Sequence, residues 1–293
     1  MKYIKQFIVV FTVLICLLSV SQAQNNYIND VQAWREKVET DLKSDSSWLT
    51  LAGLFWLKEG INTIGSDAGN DIKLPISTAE KVGTIEFKNG VLTLSLNVGV
   101  NAVSDGKPIT KLVINSDEKG KPTVIQIGDV NFTVIKRENR FGVRVKDKNN
   151  PARKNFTGLR WFAIGTSFKI NARFEAYDEP KEIEIPNVLG GTFTMKSPGL
   201  LRFKLNGKEY SLVPVEEGDQ LFTIFSDLTS RKTTYQAGRF LYATKPKNGE
   251  VFLDFNKAHN PPCAFTEFAT CPLPPPQNRL KTEIRAGEKR YDN

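Results

Sequence analysis

The turn residues constrain this chain most. Asn89-Gly90 and Asn206-Gly207 each stand between two short runs of strand-forming residues, and Gly128-Asp129 separates "TVIQI" from "VNFTVI". Dipeptides of this kind tolerate positive φ and close two-residue hairpins. Phe168, Ile170, Ala172, Phe174 and Ala176 alternate with Lys169, Asn171, Arg173 and Glu175, which is the period of a strand with one wet face. The pattern predicts a mainly β fold of antiparallel sheets. Helical segments do not alternate with strands, and no Gly-rich phosphate loop opens a helix, which argues against a parallel nucleotide-binding sheet.

The N-terminus has a different character. Lys2 and Lys5 precede an apolar run from Phe7 to Val20, followed by Ser21-Gln22-Ala23. Charged, apolar and small-residue regions in that order predict a secretory signal peptide over 1–23, cleaved near Ala23, and hence a periplasmic or secreted protein. The run is short for a membrane span, and no second one follows, so no span is expected after cleavage. Cys16 lacks the preceding small residue of a lipoprotein signal. In 24–49, Val31, Trp34, Val38 and Leu42 recur at helical spacing with Asn29-Asp30 as N-cap, which predicts an amphipathic helix.

The formal charge of +8 is spread among acidic residues without a dense basic block, which disfavours nucleic acid as a partner. A hydrophobic content of 40% with 19 Phe is that of an ordinary globular core. One His and three Cys, one of them in the leader, cannot assemble the usual nitrogen and sulfur ligands of zinc, so neither metal nor cofactor is expected.

The strand-and-turn order of "GINTIGSDAGNDIKLP", "VGTIEFKNGVLTLSL" and "AVSDGKPI" resembles a forkhead-associated domain. Phosphothreonine-binding members place Arg after the glycine and a Ser-x-x-His further on. Here Gly65 is followed by Ser66, and the later stretch reads Ser77-Thr78-Ala79-Glu80. The resemblance therefore implies a β-sandwich over 50–140 with a structural or protein-contact role. From Gly142 onward, "FGVRVKD", "GLRWFAI", "NVLGG", "SPGLLRF", "TTYQAGRFLYA", "LDFNKAHNPPCAF" and "CPLPPPQNRL…IRAGEK" resemble, in order, a prokaryotic family called domain of unknown function 1684. That resemblance implies a second antiparallel β domain over 141–293 and supplies no mechanism. The family usually has Tyr where His259 stands, so the ring is read as packing rather than as a general base.

Residues 254–280 concentrate six prolines, Cys263, Cys271 and His259. Proline excludes helix and central strand there and predicts a rigid loop folded back over the second domain. Export makes a Cys263–Cys271 disulfide the natural expectation, with packed thiols or one reactive thiolate as alternatives. Asp227, Thr229, Thr234, Tyr235, Arg239, Asp254, Asn256, Asn260 and Arg279 are the informative polar residues. Converging on an apolar mouth, Tyr235, Arg239, Asp254, Asn256, Asn260 and Arg279 would bind an anionic or hydroxylated small molecule or envelope component. The alternative is a metal-independent extracytoplasmic hydrolase, with Asp227 or Asp254 as general acid or base and Arg239 stabilising negative charge.

Overall fold

The computed structural model describes residues 2–291. The side chains of 2–21 and 23 lie outside the description, and the expected signal segment falls almost entirely on them. Among the described residues no helix is long and apolar enough to cross a membrane.

The first α-helix runs Lys2–Lys43. Val31 and Leu42 are buried on one face while Trp34 and Val38 are half-buried, as the spacing predicts. The helix stops at Lys43, short of the expected residue 49, and Trp48–Thr50 forms a 3-10 turn.

Two sheets follow. Five strands lie in the order Ile72–Lys73, Gly60–Gly65, Gly83–Lys88, Val91–Leu96, Lys111–Ile114. Six lie in the order Leu51–Trp56, Arg140–Asp147, Val130–Arg137, Ile125–Ile127, Ala102–Ser104, Lys107–Ile109. Ile64, Ile85 and Leu94 from the first sheet share one buried core with Phe132, Val134, Val143 and Val145 from the second, which makes the pair a sandwich. The hairpins close where the dipeptides stand: Asn89 and Gly90 both have positive φ, at 52° and 77°. The last strand of the sandwich extends past the expected boundary at 140. Arg140–Asp147 pairs on one side with Val130–Arg137 and on the other with Leu51–Trp56, so "FGVRVKD" belongs to the sandwich.

The remainder builds a four-stranded sheet, Lys208–Leu212, Thr192–Leu205, Lys169–Pro186, Glu250–Asp254, and a three-stranded one, Val215–Glu217, Gln220–Phe225, Arg239–Thr244. Leu201, Phe203 and Leu253 from the former meet Leu221, Phe225 and Leu241 from the latter in a common core. The proline-rich segment closes that core with Phe255 and Leu280, both buried. It is laced to the sheets by backbone bonds: Phe240 N–H donates to the carbonyl of His259 at 2.9 Å, Leu273 N–H to Pro186 at 2.7 Å and Leu280 N–H to Ser226 at 2.8 Å. Short 3-10 turns at Pro262–Ala264 and Pro276–Asn278 start on prolines, which need no donor there, and the one at Phe255–Lys257 is capped by the Asp254 side chain.

Candidate functional site

Arg239 opens a strand immediately after Gly238, whose φ of +93° and whose Cβ position, 2.4 Å from the Phe225 carbonyl, admit only glycine. The chain there lies tight on its neighbour. That registers Arg239 against Phe225, two residues before Asp227. Arg239 Nη2 donates to Asp227 Oδ2 at 2.7 Å and to the Ile284 carbonyl at 3.0 Å, and Nη1 donates to the Ala286 carbonyl. Asp227 Oδ1 accepts the Thr229 N–H at 2.8 Å, the Thr229 hydroxyl at 2.6 Å and the Ile284 N–H at 3.3 Å. Thr234 bonds the Thr229 hydroxyl at 2.9 Å. Burial pushes the guanidinium below its usual range, and the Asp227 charge opposes that. The pair is a strut that fixes the C-terminal segment to the sheet.

Asp254 and Asn256 do meet, and the N-terminal helix completes their group. The Tyr27 hydroxyl donates to Asp254 Oδ1 at 2.9 Å and accepts from Asn256 Nδ2 at 2.8 Å. Asn256 also spans both backbone groups of Gly165, accepting its N–H at 3.0 Å and donating to its carbonyl at 2.8 Å. Arg35 lies over the Trp161 ring at 4.8 Å and donates to the Phe162 and Asn256 carbonyls at 3.0 and 3.3 Å. Burial and the Asp254 charge push the Tyr27 phenol up. This group docks the helix on the second domain.

The third location borders open space. A cavity of about 850 Å³ is walled by the end of the helix, the sandwich residues Arg137 and Arg144, and the second domain. Its ring wall is Phe222, Tyr242, Phe240 and His259. Phe222 stacks on Tyr242 at 4.7 Å, and His259 lies nearly parallel to Tyr242 at 5.9 Å. Burial pushes the His259 imidazole down, and its Nδ1 lies 3.2 Å from the Lys257 carbonyl, so the ring packs as expected. Asn260 and Glu288 also line the cavity. Asn260 donates from its backbone to Glu288 Oε2 at 2.8 Å and from Nδ2 to Oε1 at 2.6 Å. Glu288 is 1% exposed, and burial pushes its carboxyl up to about 8, with the Asn260 bonds and Arg239 acting the other way. It holds its proton at neutral pH. Gly287 makes that depth attainable, because a Cβ there would sit 2.4 Å from the Ala258 carbonyl.

Among the described residues, the buried side-chain polar atoms without a hydrogen-bond partner are Arg35 Nε, Ser47 Oγ, Arg144 Nε and Asn260 Oδ1. All but Arg35 belong to residues that line this cavity. Native interiors rarely leave such atoms unpaired.

Cys271 lines the cavity too. The expected disulfide is absent: Cys263 and Cys271 are separate thiols, with the Cys263 N–H 3.1 Å from Cys271 Sγ and the Cys271 N–H 3.3 Å from Cys263 Sγ. Each sulfur is an acceptor for the other's backbone. That sulfur-to-sulfur interaction pushes the Cys263 thiol down and the Cys271 thiol up. Tyr235 donates to the Cys263 carbonyl at 2.9 Å and braces this loop, with its phenol pushed up to about 12 by burial. Arg279 is exposed and joins the fold through a backbone bridge to Ser226. The expected single focus is thus divided between two struts, a loop brace and a cavity wall. Among the described residues no cluster of His, Cys, Asp and Glu is arranged to hold a metal ion.

Sequence reasoning missed Glu288, Arg144, Tyr27 and Asn278. Glu288 lies within "IRAGEK", which carried the family resemblance, and nothing in its spacing pointed to Asn260 as its partner.

No curated protein matches the chain. Among solved structures, an uncharacterized protein of Haloarcula marismortui is 29% identical over 47% of this chain and 78% of its own, with a TM-score of 0.40. An FHA domain studied for phosphothreonine-dependent interactions and the FhaA FHA domain are each 17% identical over 32% of this chain, covering 92% and 97% of their own, with TM-scores of 0.23. Residues 154–289, which carry the ring wall, Asn260 and Glu288, match the family described as protein of unknown function (DUF1684).

Proposed function

We propose that the protein is an exported module that binds a small polar molecule, or the polar end of an envelope component, in the cavity between the sandwich and the second β domain. One observation carries this reading: Ser47 Oγ, Arg144 Nε and Asn260 Oδ1 are buried, unpartnered and contributed by cavity residues from three separate parts of the chain. A bound molecule would satisfy them once these side chains turn toward it, since each atom is covered by protein as the structure stands. The volume of about 850 Å³ is that of small-molecule pockets, and an apolar ring wall with few polar groups is their usual lining. Export is supported by the order of Lys2, Lys5, the run from Phe7 to Val20 and Ser21-Gln22-Ala23. The binding test is calorimetry and thermal shift of the mature protein against neutral polyols, amides, carboxylates and phosphates. At least one class should bind and raise the melting temperature, and a protein indifferent to all of them would remove the reading.

Glu288 favours a second reading, that of a metal-independent hydrolase. Asp227 and Asp254 accept several protein hydrogen bonds each, whereas Glu288 is a buried acid beside open space and keeps its proton at neutral pH. A carboxyl of that kind can act as a general acid. Turnover of chromogenic esters or glycosides, abolished in Glu288→Gln and falling as pH rises through about 8, would favour it over simple binding.

A further inference from the structure

Among the described residues Arg144 has no direct ion-pair partner. Its strand, Arg140–Asp147, lies in the sandwich sheet between two partners, and that places the side chain on the cavity wall beside Trp48, whose ring it overlies at 5.2 Å. Its polar contact is a long one, from Nη2 to the Thr270 hydroxyl at 3.5 Å, and its Nε is buried and unpaired. Burial pushes the guanidinium below its usual range and the neighbouring Arg137 charge pushes it the same way, while Asp117, which is paired with Arg137, opposes them from a distance. No carboxylate of the described residues forms an ion pair with it, whereas Arg137 is paired with Asp117 at 2.7 Å. A desolvated cation persists only where something compensates it.

The other acids on the wall do not supply that compensation. Asp41 pairs with Lys37 at 2.9 Å, Glu217 accepts the Tyr242 hydroxyl at 2.9 Å, and Glu288 is held by Asn260. Hydroxyl donors stand on the same wall: Ser47 Oγ is unpartnered, and Thr270 Oγ1 accepts from Arg137 Nε at 3.1 Å, so its own proton is unspent. The cavity therefore has one spare positive charge, hydrogen-bond donors beside it and a ring wall across from them. A planar monoanion matches one guanidinium, and a dianion such as a phosphate ester would leave a negative charge uncompensated.

Resting on the cavity reading above, we propose that the ligand is a small organic carboxylate, its anionic group at Arg144 with Thr270 and Ser47, and its apolar body against Phe222, Tyr242 and His259.

The test compares acids with their neutral isosteres. Acetate, benzoate and 1-naphthoate are titrated by calorimetry into the full mature chain and into Arg144→Met, alongside acetamide, benzamide, 1-naphthamide and phenyl phosphate. The wild-type protein should bind the acids at least tenfold more tightly than the amides, with affinity rising from acetate to naphthoate. Arg144→Met should lose that preference while its melting temperature holds or rises. Arg144→Lys, which keeps the charge, should recover part of the preference and guards against a folding defect in the Met variant. Amides or polyols binding as tightly as the acids, phenyl phosphate outbinding benzoate, or Arg144→Met keeping the preference would overturn the carboxylate assignment and leave the cavity reading standing. Refusal of every compound would overturn both.

Discussion

Two arginines, Arg239 buried and Arg144 half-buried, occupy opposite situations in this molecule. Arg239 is enclosed by the Asp227 carboxylate and the Ile284 and Ala286 carbonyls, and Asp227 is in turn saturated by Thr229 and Ile284. Arg144 has one distant hydroxyl and an unpaired Nε at the edge of a cavity. Burial works against the charge of both, but only Arg239 has a carboxylate in direct contact; Asp117 acts on Arg144 from a distance while paired with Arg137. Saturation marks a residue that holds the fold; its absence at a cavity wall is what the ligand proposal rests on. Residue type alone does not distinguish them, since each arginine sits in a β-strand.

The largest effect should come from breaking the saturated partner. Arg239→Ala leaves Asp227 buried without its cation and frees two backbone carbonyls, so it should cost about 3 to 5 kcal/mol in urea unfolding. Arg144→Met should move the same measurement by less than about 1 kcal/mol, because an apolar side chain there replaces an unpaired charge. Similar losses at both positions would erase the distinction.

Glu288 gives the next effect, and pH reveals it. Its carboxyl is raised from 4.5 to about 8 in the folded protein by burial, so the folded state holds a proton that the unfolded chain releases. The associated stability is complete below 4.5 and is lost as pH rises toward 8. The change should be on the order of 4 kcal/mol, measured as unfolding free energy across that range. Glu288→Gln, which cannot ionise and keeps one of the two bonds from Asn260, should flatten the slope; a slope that survives the substitution would assign it to another group.

The sheets and their hairpins were legible because they rest on local rules. Asn89-Gly90 and Asn206-Gly207 adopt positive φ at the positions where a strand had to reverse, and Ile170 and Ala172 bury the face their alternation marked. The proline-rich loop was legible for the same reason. The polar residues were not, because a hydrogen bond between Tyr27 and Asp254 spans 227 residues and one between Asn260 and Glu288 spans 28. Side-chain type shows that a partner is needed and says nothing of which one is reached. The disulfide expectation failed in the same way, since compartment and spacing favoured a bond that the structure replaces with N–H contacts to sulfur.

Asn278 belongs with Arg239 among the saturated residues, and its effect should be smaller because it is uncharged. Its side chain accepts the Val213 N–H at 2.8 Å and donates to the Val213 and Ile224 carbonyls at 2.9 and 3.0 Å, tying the loop's end to the three-stranded sheet. Asn278→Ala orphans all three buried groups and should cost about 2 kcal/mol, with faster hydrogen exchange at Val213 as the local signature.

Arg279, its neighbour, should show the smallest effect and so tests the comparison from the other side. A cationic residue at the end of a proline-rich loop looked like a ligand contact, yet the 3-10 turn that buries Asn278 turns the next side chain to solvent. Backbone bridging to Ser226, which any residue can supply, is its link to the sheet. Exposed side chains away from caps and networks change stability by less than about 0.5 kcal/mol when truncated. Arg279→Ala should therefore leave unfolding free energy within that margin and leave the carboxylate preference of the cavity intact. A loss of binding in Arg279→Ala at unchanged stability would mean that the loop's end reaches the ligand, and that burial without a partner is not what selects the binding residues here.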